Sequence, residues 1–267
     1  MSLTHLLIQN GLISAGCFTG LWLVGLRLRD VTFVDAWWSL GMVVLAAASF
    51  VATDGLTPHK VALAGLCAAW GLRLGGHLLL RWRREGPDRR YRSLLGHAQD
   101  VRGWSFGKAS LLFVFAAQAP LQFIVSLPVQ LGQAAPGAAP LGPLAWAGVA
   151  LGLVGLGFEA IGDAQLARFK ADPASRGQVL DTGLWRYTRH PNYFGDASVW
   201  WGLFLISAET PYGLWALPGP LLLTWTLMKW SGAPTFEGRL RKTRPGYEAY
   251  VARTSGFIPW PPKRAAA

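Results

Sequence analysis

The run Gly183-Leu184-Trp185-Arg186-Tyr187-Thr188-Arg189-His190-Pro191-Asn192-Tyr193-Phe194-Gly195-Asp196 sets cations, aromatic rings and amides directly against a long apolar stretch. Pro191 suits the first position of a helix, where a missing N–H is no loss. The backbone amides that follow it would then point at an anion or a carbonyl oxygen. Asn192 and Asp196 are four apart and share one face of that helix, a spacing fit for a common ligand. Tyr187, Tyr193 and Trp185 can stack on a ring or form an interfacial aromatic belt. A belt accounts for the aromatics but not for Arg189, His190, Asn192 and Asp196 together. Polar chemistry this dense at a membrane boundary reads as a site.

Three further polar clusters accompany it. Arg81, Arg83, Arg84, Arg89, Arg90 and Arg92 crowd one segment with only Glu85 and Asp88 to offset them. The arginine fork matches a phosphate bidentately, so this segment can hold a pyrophosphate or ribose phosphate, or anchor to anionic lipid. Glu159 and Asp163 precede Gln165, Arg168 and Lys170. Asp163 can accept two hydrogen bonds from a ribose or a carboxamide, or pair with Arg168 or Lys170 and pin a helix end. Towards the C-terminus, Glu237, Arg239, Arg241, Lys242, Arg244, Tyr247 and Tyr250 read as a solvated face, with Glu237 and Tyr247 as binding candidates. Within the apolar runs, Asp35 and Arg73 each cost roughly 2.5 to 3.5 kcal/mol on insertion unless paired or lining a cavity. They either form a salt bridge or face a wet pocket to which His77, one turn past Arg73, also points. There is no nucleophile motif, zinc spacing, P-loop or Gly-x-Gly-x-x-Gly after a strand. A nucleotide would have to be held by side chains at helix ends and loops.

The elements that carry these groups are set by composition. Of the 267 residues, 52% are apolar, 15% are charged and 14 are tryptophan, a balance of membrane proteins and not of soluble domains. Apolar runs long enough to cross about 30 Å of hydrocarbon as helices cover Leu6–Leu26, Phe33–Ala52, Val61–Leu80, Ala109–Leu131, Leu141–Gly162, Tyr193–Ala208 and Tyr212–Trp230. The expected fold is all-α and polytopic, with about seven transmembrane helices. With the N-terminus outside and the C-terminus cytoplasmic, nearly all Lys and Arg fall in inner connections and the outer ones keep Lys60 alone, as cytoplasmic loops require. The net charge of +11 is thereby assigned to orientation and lipid or phosphate contact, and nucleic acid is excluded as a partner for want of a basic-aromatic binding module. Cys17 and Cys67 lie in apolar runs and read as small hydrophobes. The first run lacks a basic n-region and a cleavage pattern, so it reads as a retained span. Pro120 and Pro128 are expected to kink the fourth span. Gly148, Gly152, Gly155 and Gly157 fit close helix packing. Gln133 to Pro140 reads as a short outer loop, Thr235 to Arg253 as one amphipathic helix on the cytoplasmic face, and Pro259 to Pro262 with the Ala tail as irregular chain.

Residues 183–196, with R-H-P-N-Y-F-G at their centre, the basic segment after the third span, Asp163, and the ending Phe257-Ile258-Pro259-Trp260 together resemble the steroid 5α-reductase superfamily, closest to its bacterial branch of uncharacterised membrane proteins with a domain of unknown function. The resemblance covers nearly the whole chain and is specific in its C-terminal half. It implies one transmembrane domain over residues 1–267, with substrate-side helices and the basic loop in 1–131 and a cofactor-binding half with the tail helix in 132–267. It further implies a bacterial inner-membrane reductase that binds NADPH from the cytoplasm and reduces a carbon–carbon double bond conjugated to a carbonyl in a lipophilic substrate. The implied cofactor contacts are Arg84, Asp163, Lys170, Tyr187, Asn192 and Asp196, with Arg189, His190, Tyr193, Glu237 and Tyr247 beside them. In the steroid reductases a polar pair in the second span and a tyrosine in the third orient the ketone. The comparable positions here hold Asp35 and Trp70, with Arg73 nearby, and Trp70 has no phenolic proton to give. An R-H-P-x-Y run followed by glycine also resembles the isoprenylcysteine carboxyl methyltransferases, and a non-catalytic nucleotide- or lipid-binding protein is a third reading.

Overall fold

The computed structural model describes residues 1–134, 140–230 and 232–263. Their regular structure is helical, apart from one isolated bridge between Thr188 and Ser255. Short polar residues start the helices as capping chemistry requires. The Ser2 side chain accepts from the His5 amide at the head of α1 (Leu3–Leu28). After α2 (Val34–Ala52), Thr57 caps α3 (Pro58–Glu85), with Pro58 in its first turn. Asp88 caps α4 (Arg89–Arg102), which Gly103 ends at φ +62. Ser105 caps the long helix α5 (Phe106–Val125). A five-residue π-helical stretch, Leu111–Phe115, lies inside α5 ahead of Pro120. Then follow α6 (Leu127–Leu131), α7 (Pro143–Ala171), α8 (Pro191–Ala208), α9 (Pro218–Trp225), α10 (Ala233–Thr243) and α11 (Tyr247–Arg253).

Five of these helices, α1, α2, α3, α5 and α7, are long and apolar enough to cross a bilayer. The protein is an all-helical, polytopic membrane protein. The expected count of seven is reduced to five on length and composition, for reasons visible in the sixth and seventh runs. The sixth lies in α8, which opens at Pro191 and carries Asn192 and Asp196 in its first two turns. The seventh is divided into a 3-10 turn at Gly213–Ala216, the eight-residue α9 and a π-helical turn at Thr226–Trp230. The fourth run breaks at Ser126, between α5 and α6, so Pro128 starts a new helix and does not kink an old one. The tail is two helices where one was expected, because Pro245 ends the first and Gly246 turns the chain at φ +81. Pro259 to Pro262 is irregular as expected. Residues 135–139 of the expected outer loop, and the final Ala residues, lie outside the described residues. Cys17 and Cys67 are free thiols in α1 and α3.

The chain divides into two compact units, one comprising Met1–Trp146 and Leu203–Gly219, the other Ala147–Gly202 and Pro220–Ala267. In the first, α2 and α3 pack as an antiparallel pair at close range: a Cβ on Gly75 would meet the Leu40 side chain, and one on Gly71 would meet Val43 and the Ser39 carbonyl. An apolar cluster of Phe18, Val31, Phe33, Val34, Leu95 and Phe115 seals α1, α2, α4 and α5 together. In the second unit, α7 and α8 touch backbone to backbone. A Cβ on Gly195 would stand 2.5 Å from the Gly155 carbonyl and the Glu159 amide, and one on Gly202 would stand 2.5 Å from the Gly148 carbonyl and 2.8 Å from the Gly152 amide. Three of the four glycines expected to serve packing do so; Gly157 faces open space.

Candidate functional site

In the first unit the polar chemistry gathers where α2 begins, α3 ends and α4 begins. Asp30 fixes this junction. Its carboxylate accepts from the Thr32 amide (2.9 Å), the Thr32 hydroxyl (2.7 Å) and the Trp82 indole (2.6 Å), and the Thr32 hydroxyl oxygen accepts from the Asp88 amide at 2.8 Å. That scaffold sets α4 so that two successive side chains meet Asp35. Tyr91 Oη donates to Asp35 Oδ1 at 2.6 Å, and Arg90 Nη2 donates to Asp35 Oδ2 at 3.0 Å and to Asp88 Oδ2 at 2.9 Å. Arg81 adds its charge 3.7 Å from Asp35 Oδ2. Behind the phenol, Gln118 Nε2 donates to Tyr91 Oη at 3.4 Å, while Gln118 Oε1 accepts from the Trp38 indole at 2.6 Å. The Trp38 bond fixes which way round the amide sits, and the amide in turn leaves the Tyr91 proton directed at Asp35.

Electrostatics follow from this geometry. Burial raises the Tyr91 pKa well above that of a free phenol, and the neighbouring Asp35 charge adds to the rise, so the group stays a proton donor. Burial works against the Asp88 charge, but the hydrogen bonds and charge of Arg90 outweigh it and lower the carboxyl.

Of the two readings for Asp35 and Arg73, a mutual salt bridge or a wet pocket, the salt bridge does not form: Asp35 is held by Tyr91, Arg90 and Arg81. Register explains this. Gly75 faces Leu40 and Gly71 faces Val43, which puts Arg73 level with residue 41, roughly 9 Å along α2 from Asp35 at 1.5 Å per residue. By the same register the buried Trp70 lies further still from Asp35, roughly 13 Å along the helix. The structure therefore places beside Asp35 a tyrosine that sequence reasoning passed over. Tyr91 is embedded in the arginine-rich segment, where its spacing carries no signal. The signal that was available is Gln118, an amide in the middle of an apolar run. Arg84 sits exposed in the last turn of α3.

In the second unit the R-H-P segment is clamped from both sides. The Leu184 amide donates to Gln165 Oε1 (3.0 Å) and the Trp185 indole to the Gly162 carbonyl (3.1 Å), which fastens the segment to α7. Gly183 holds φ +60 against the Gln165 amide, where a side chain has no room. From the tail, Tyr250 Oη donates to the Trp185 carbonyl (2.6 Å), Thr188 Oγ1 donates to the Phe257 carbonyl (2.7 Å), and the Arg189 amide donates to the Ser255 carbonyl (2.9 Å). Glu237, on α10, is the hub. Arg189 Nε donates to its Oε1 at 2.8 Å and His190 Nε2 lies 2.9 Å from the same oxygen. The Arg189 fork reaches on to the Thr254 carbonyl at 2.7 Å, and the His190 ring stacks on Tyr193 at 5.1 Å and 6°. Burial opposes the Glu237 charge, yet the hydrogen bonds and charges of His190 and Arg189 outweigh it and bring the carboxyl down to about 2. Burial, then the Glu237 charge, pushes the Tyr247 phenol up to about 12.

Four residues expected to contact a cofactor, Arg189, His190, Glu237 and Tyr247, thus come together as an ionic cluster that ties the motif to the tail. Asp163 and Asn192 also meet: Asn192 Nδ2 donates to Asp163 Oδ1 at 3.3 Å. The α7–α8 glycine contacts hold these two helix ends at this separation. Asp196 follows one turn along α8, and Tyr187 and Lys170 are exposed.

A helical scaffold with spans of this length and polar clusters at their ends defines a multi-pass membrane protein. The chain belongs to the family described as Protein of unknown function (DUF1295), whose model matches residues 21–254. Over 101 residues it is 32% identical to an uncharacterised protein of Schizosaccharomyces pombe (strain 972 / ATCC 24843), a match that takes in 34% of this chain and 27% of that protein. The chain thus spans about a quarter of the length of that relative. No solved structure matches it.

Proposed function

We propose that this protein is an NADPH-dependent reductase of the bacterial inner membrane, acting on a carbon–carbon double bond conjugated to a carbonyl in a lipophilic, sterol- or isoprenoid-like substrate. One observation carries the reading: the Tyr91 phenol 2.6 Å from the Asp35 carboxylate. The resemblance to the steroid 5α-reductases asks for a polar side chain in the second span and a tyrosine that together orient a ketone. Asp35 supplies the first, and Tyr91 takes the role for which Trp70 lacks a proton. Trp70 and Arg73, roughly 13 and 9 Å from Asp35 along the helix by that register, stand apart from the pair.

Tyr91 Oη is the proton donor in this reading. Kept protonated by burial and by the Asp35 charge, it turns its one proton from Asp35 to the substrate carbonyl oxygen when substrate binds and stabilises negative charge developing there. Asp35, held by Arg90 and Arg81, orients the phenol, and Gln118 keeps its lone pair engaged.

The donor set of the second unit suits a nucleotide. Asp163 and Asn192 offer an acceptor and a donor side by side, the pairing that a ribose or a carboxamide needs. Exposed Arg168, Lys170 and Arg186 supply phosphate-matching charge, and Tyr187, Tyr193 and Asp196 are further candidates in the same unit; in the first unit Arg84 has an exposed fork of the same chemistry. Arg189 and His190, engaged by Glu237, and Tyr247 behind it act by holding the loop in place. NADPH, when bound, supplies the hydride. The distribution of Lys and Arg supports an outside N-terminus and a cytoplasmic C-terminus.

The test is to purify the protein in mild detergent, denature it and identify the released nucleotide by mass spectrometry. NADPH supports the reductase; S-adenosylmethionine would instead select a methyltransferase. Asn192→Ala and Asp196→Ala should each weaken NADPH binding about tenfold, the worth of a hydrogen bond of about 1.4 kcal/mol, with the fold intact by circular dichroism. Unchanged affinity in both variants counts against the site.

A further inference from the structure

The first unit contains a line of polar side chains of which the site uses only the first, Gln118. Along α5 and α6 a polar residue recurs every three or four positions, at Gln118, Gln122, Ser126, Gln130 and Gln133, inside an otherwise apolar wall. Gln122, Ser126, Gln130 and Gln133 are fully buried. The partners come from α1 and α2. Gln122 Nε2 donates to the Trp37 and Trp38 carbonyls (3.1 and 2.9 Å). Asn10 Nδ2 donates to Ser49 Oγ (2.8 Å) and Gln130 Oε1 (3.0 Å), and Gln133 Nε2 donates to the Ala46 carbonyl (3.0 Å). Because Asn10 faces Gln130 and Gly25 faces Phe115, α1 runs antiparallel to α5 and sets Ser14 level with Ser126.

The bonds at each level are incomplete in a consistent way. At the Gln122 level, Gln122 Oε1 and the Trp37 indole N–H find no partner among the described residues; at the next levels the same holds for Ser14 Oγ, Asn10 Oδ1 and Gln133 Oε1. The set continues to Ser207 Oγ, also unpartnered, which lies 2.8 Å from where a Cβ on Gly132 would stand. In hydrocarbon each such atom costs several kcal/mol unless something satisfies it. Four residues of helix advance roughly 6 Å, the span of two hydrogen bonds of about 2.8 Å through one water. Gln130 Nε2 closes one step directly by donating to Ser126 Oγ at 2.8 Å, and water is the ligand that fits the other intervals.

The ends of the line are ionisable. At one end stands Tyr91 with Asp35. At the other, two residues past Ser207, Glu209 Oε2 lies 3.0 Å from His59 Nε2 and its carboxylate also accepts from the Gly142 and Ala145 amides (2.8 and 2.9 Å). The Glu209 side chain is 17% exposed, so solvent reaches it.

We propose that this seam is a proton pathway, a file of ordered water running from the His59–Glu209 pair through the α1–α2–α5 interface to Tyr91 and Asp35. Resting on the reductase reading for its use, it replaces the proton that Tyr91 Oη gives up when substrate is reduced. The cofactor provides the hydride for the carbon β to the carbonyl, Tyr91 gives its proton to the carbonyl oxygen, the enol so formed tautomerises to the saturated carbonyl compound with no net gain of protons, and one proton enters at the Glu209 end per turnover.

The experiment needs no cofactor. The protein is reconstituted in phospholipid vesicles that enclose a pH-sensitive dye, and a potassium diffusion potential drives protons. Wild type should carry a flux severalfold above protein-free vesicles, Gln122→Leu should return it to that background, and Ile8→Ala, on the exposed side of α1, should leave it unchanged. If Gln122→Leu fails to fold, wild type with nitrogen-labelled glutamine decides by solid-state NMR: rapid magnetisation transfer from water to the Gln122, Gln130 and Gln133 amides is expected, and none means a dry seam. Wild-type flux equal to protein-free vesicles overturns the pathway, including when the same preparation oxidises NADPH. Flux without NADPH oxidation upholds the pathway and removes the reductase.

Discussion

Glu237 is the residue whose charge most directly holds the second unit's motif in place. Its carboxyl titrates at about 2 in the folded protein against roughly 4.3 in an unfolded chain. A depressed carboxylate stabilises above its unfolded pKa and loses that contribution as pH falls to the folded one. The tail should therefore loosen between about pH 4.3 and 2, by roughly 1 to 3 kcal/mol once screening by nearby solvent is allowed for. Glu237→Gln should remove a comparable amount at neutral pH and abolish the acid dependence, read by limited proteolysis of the last two helices across pH. An acid profile identical in wild type and variant would contradict this role. The sequence singled out Arg189, His190, Glu237 and Tyr247, but not that they serve one another. A cation awaiting a phosphate and a cation held by a glutamate 48 positions away look alike until the chain is folded. Tyr91 was illegible for the converse reason, since only the α4 geometry brings it to Asp35.

At the scale of elements, patterning was legible where one physical rule decided and obscure where two competed. Glycine spacing in the fifth apolar run was enough to foresee close helix packing there, because small residues permit backbones to approach at such distances, but not that α8 is the partner. Gly195→Ala should cost roughly 1 to 3 kcal/mol through overpacking, since its Cβ would meet the Gly155 carbonyl and Glu159 amide at 2.5 Å. Gly157→Ala, facing open space, should be neutral or slightly stabilising. Thermal melts in detergent compare the two, and equal melting temperatures would refute the packing account. The sixth and seventh runs were harder. Apolar composition argued for full spans, whereas Pro191, the polar first turns of α8 and the Pro-Gly punctuation around α9 shorten the helices. In the tail, Pro245 and Gly246 outweighed a continuous amphipathic pattern.

For the whole molecule, composition and charge placement were sufficient to define a polytopic, all-helical membrane protein, and the family match agrees with that class. Function depends on a finer matter, whether a tyrosine and an aspartate at the junction of α2 and α4 act on a carbonyl. The most direct measurement is NADPH oxidation by the reconstituted protein given a panel of lipophilic enones, with Tyr91→Phe and Gln118→Leu alongside wild type. Substrate-dependent oxidation should occur in wild type and fall by about 10²- to 10⁴-fold in Tyr91→Phe, the usual worth of a positioned acid, with nucleotide affinity retained; Gln118→Leu should lie between. Oxidation that proceeds at the wild-type rate in Tyr91→Phe would contradict the assignment.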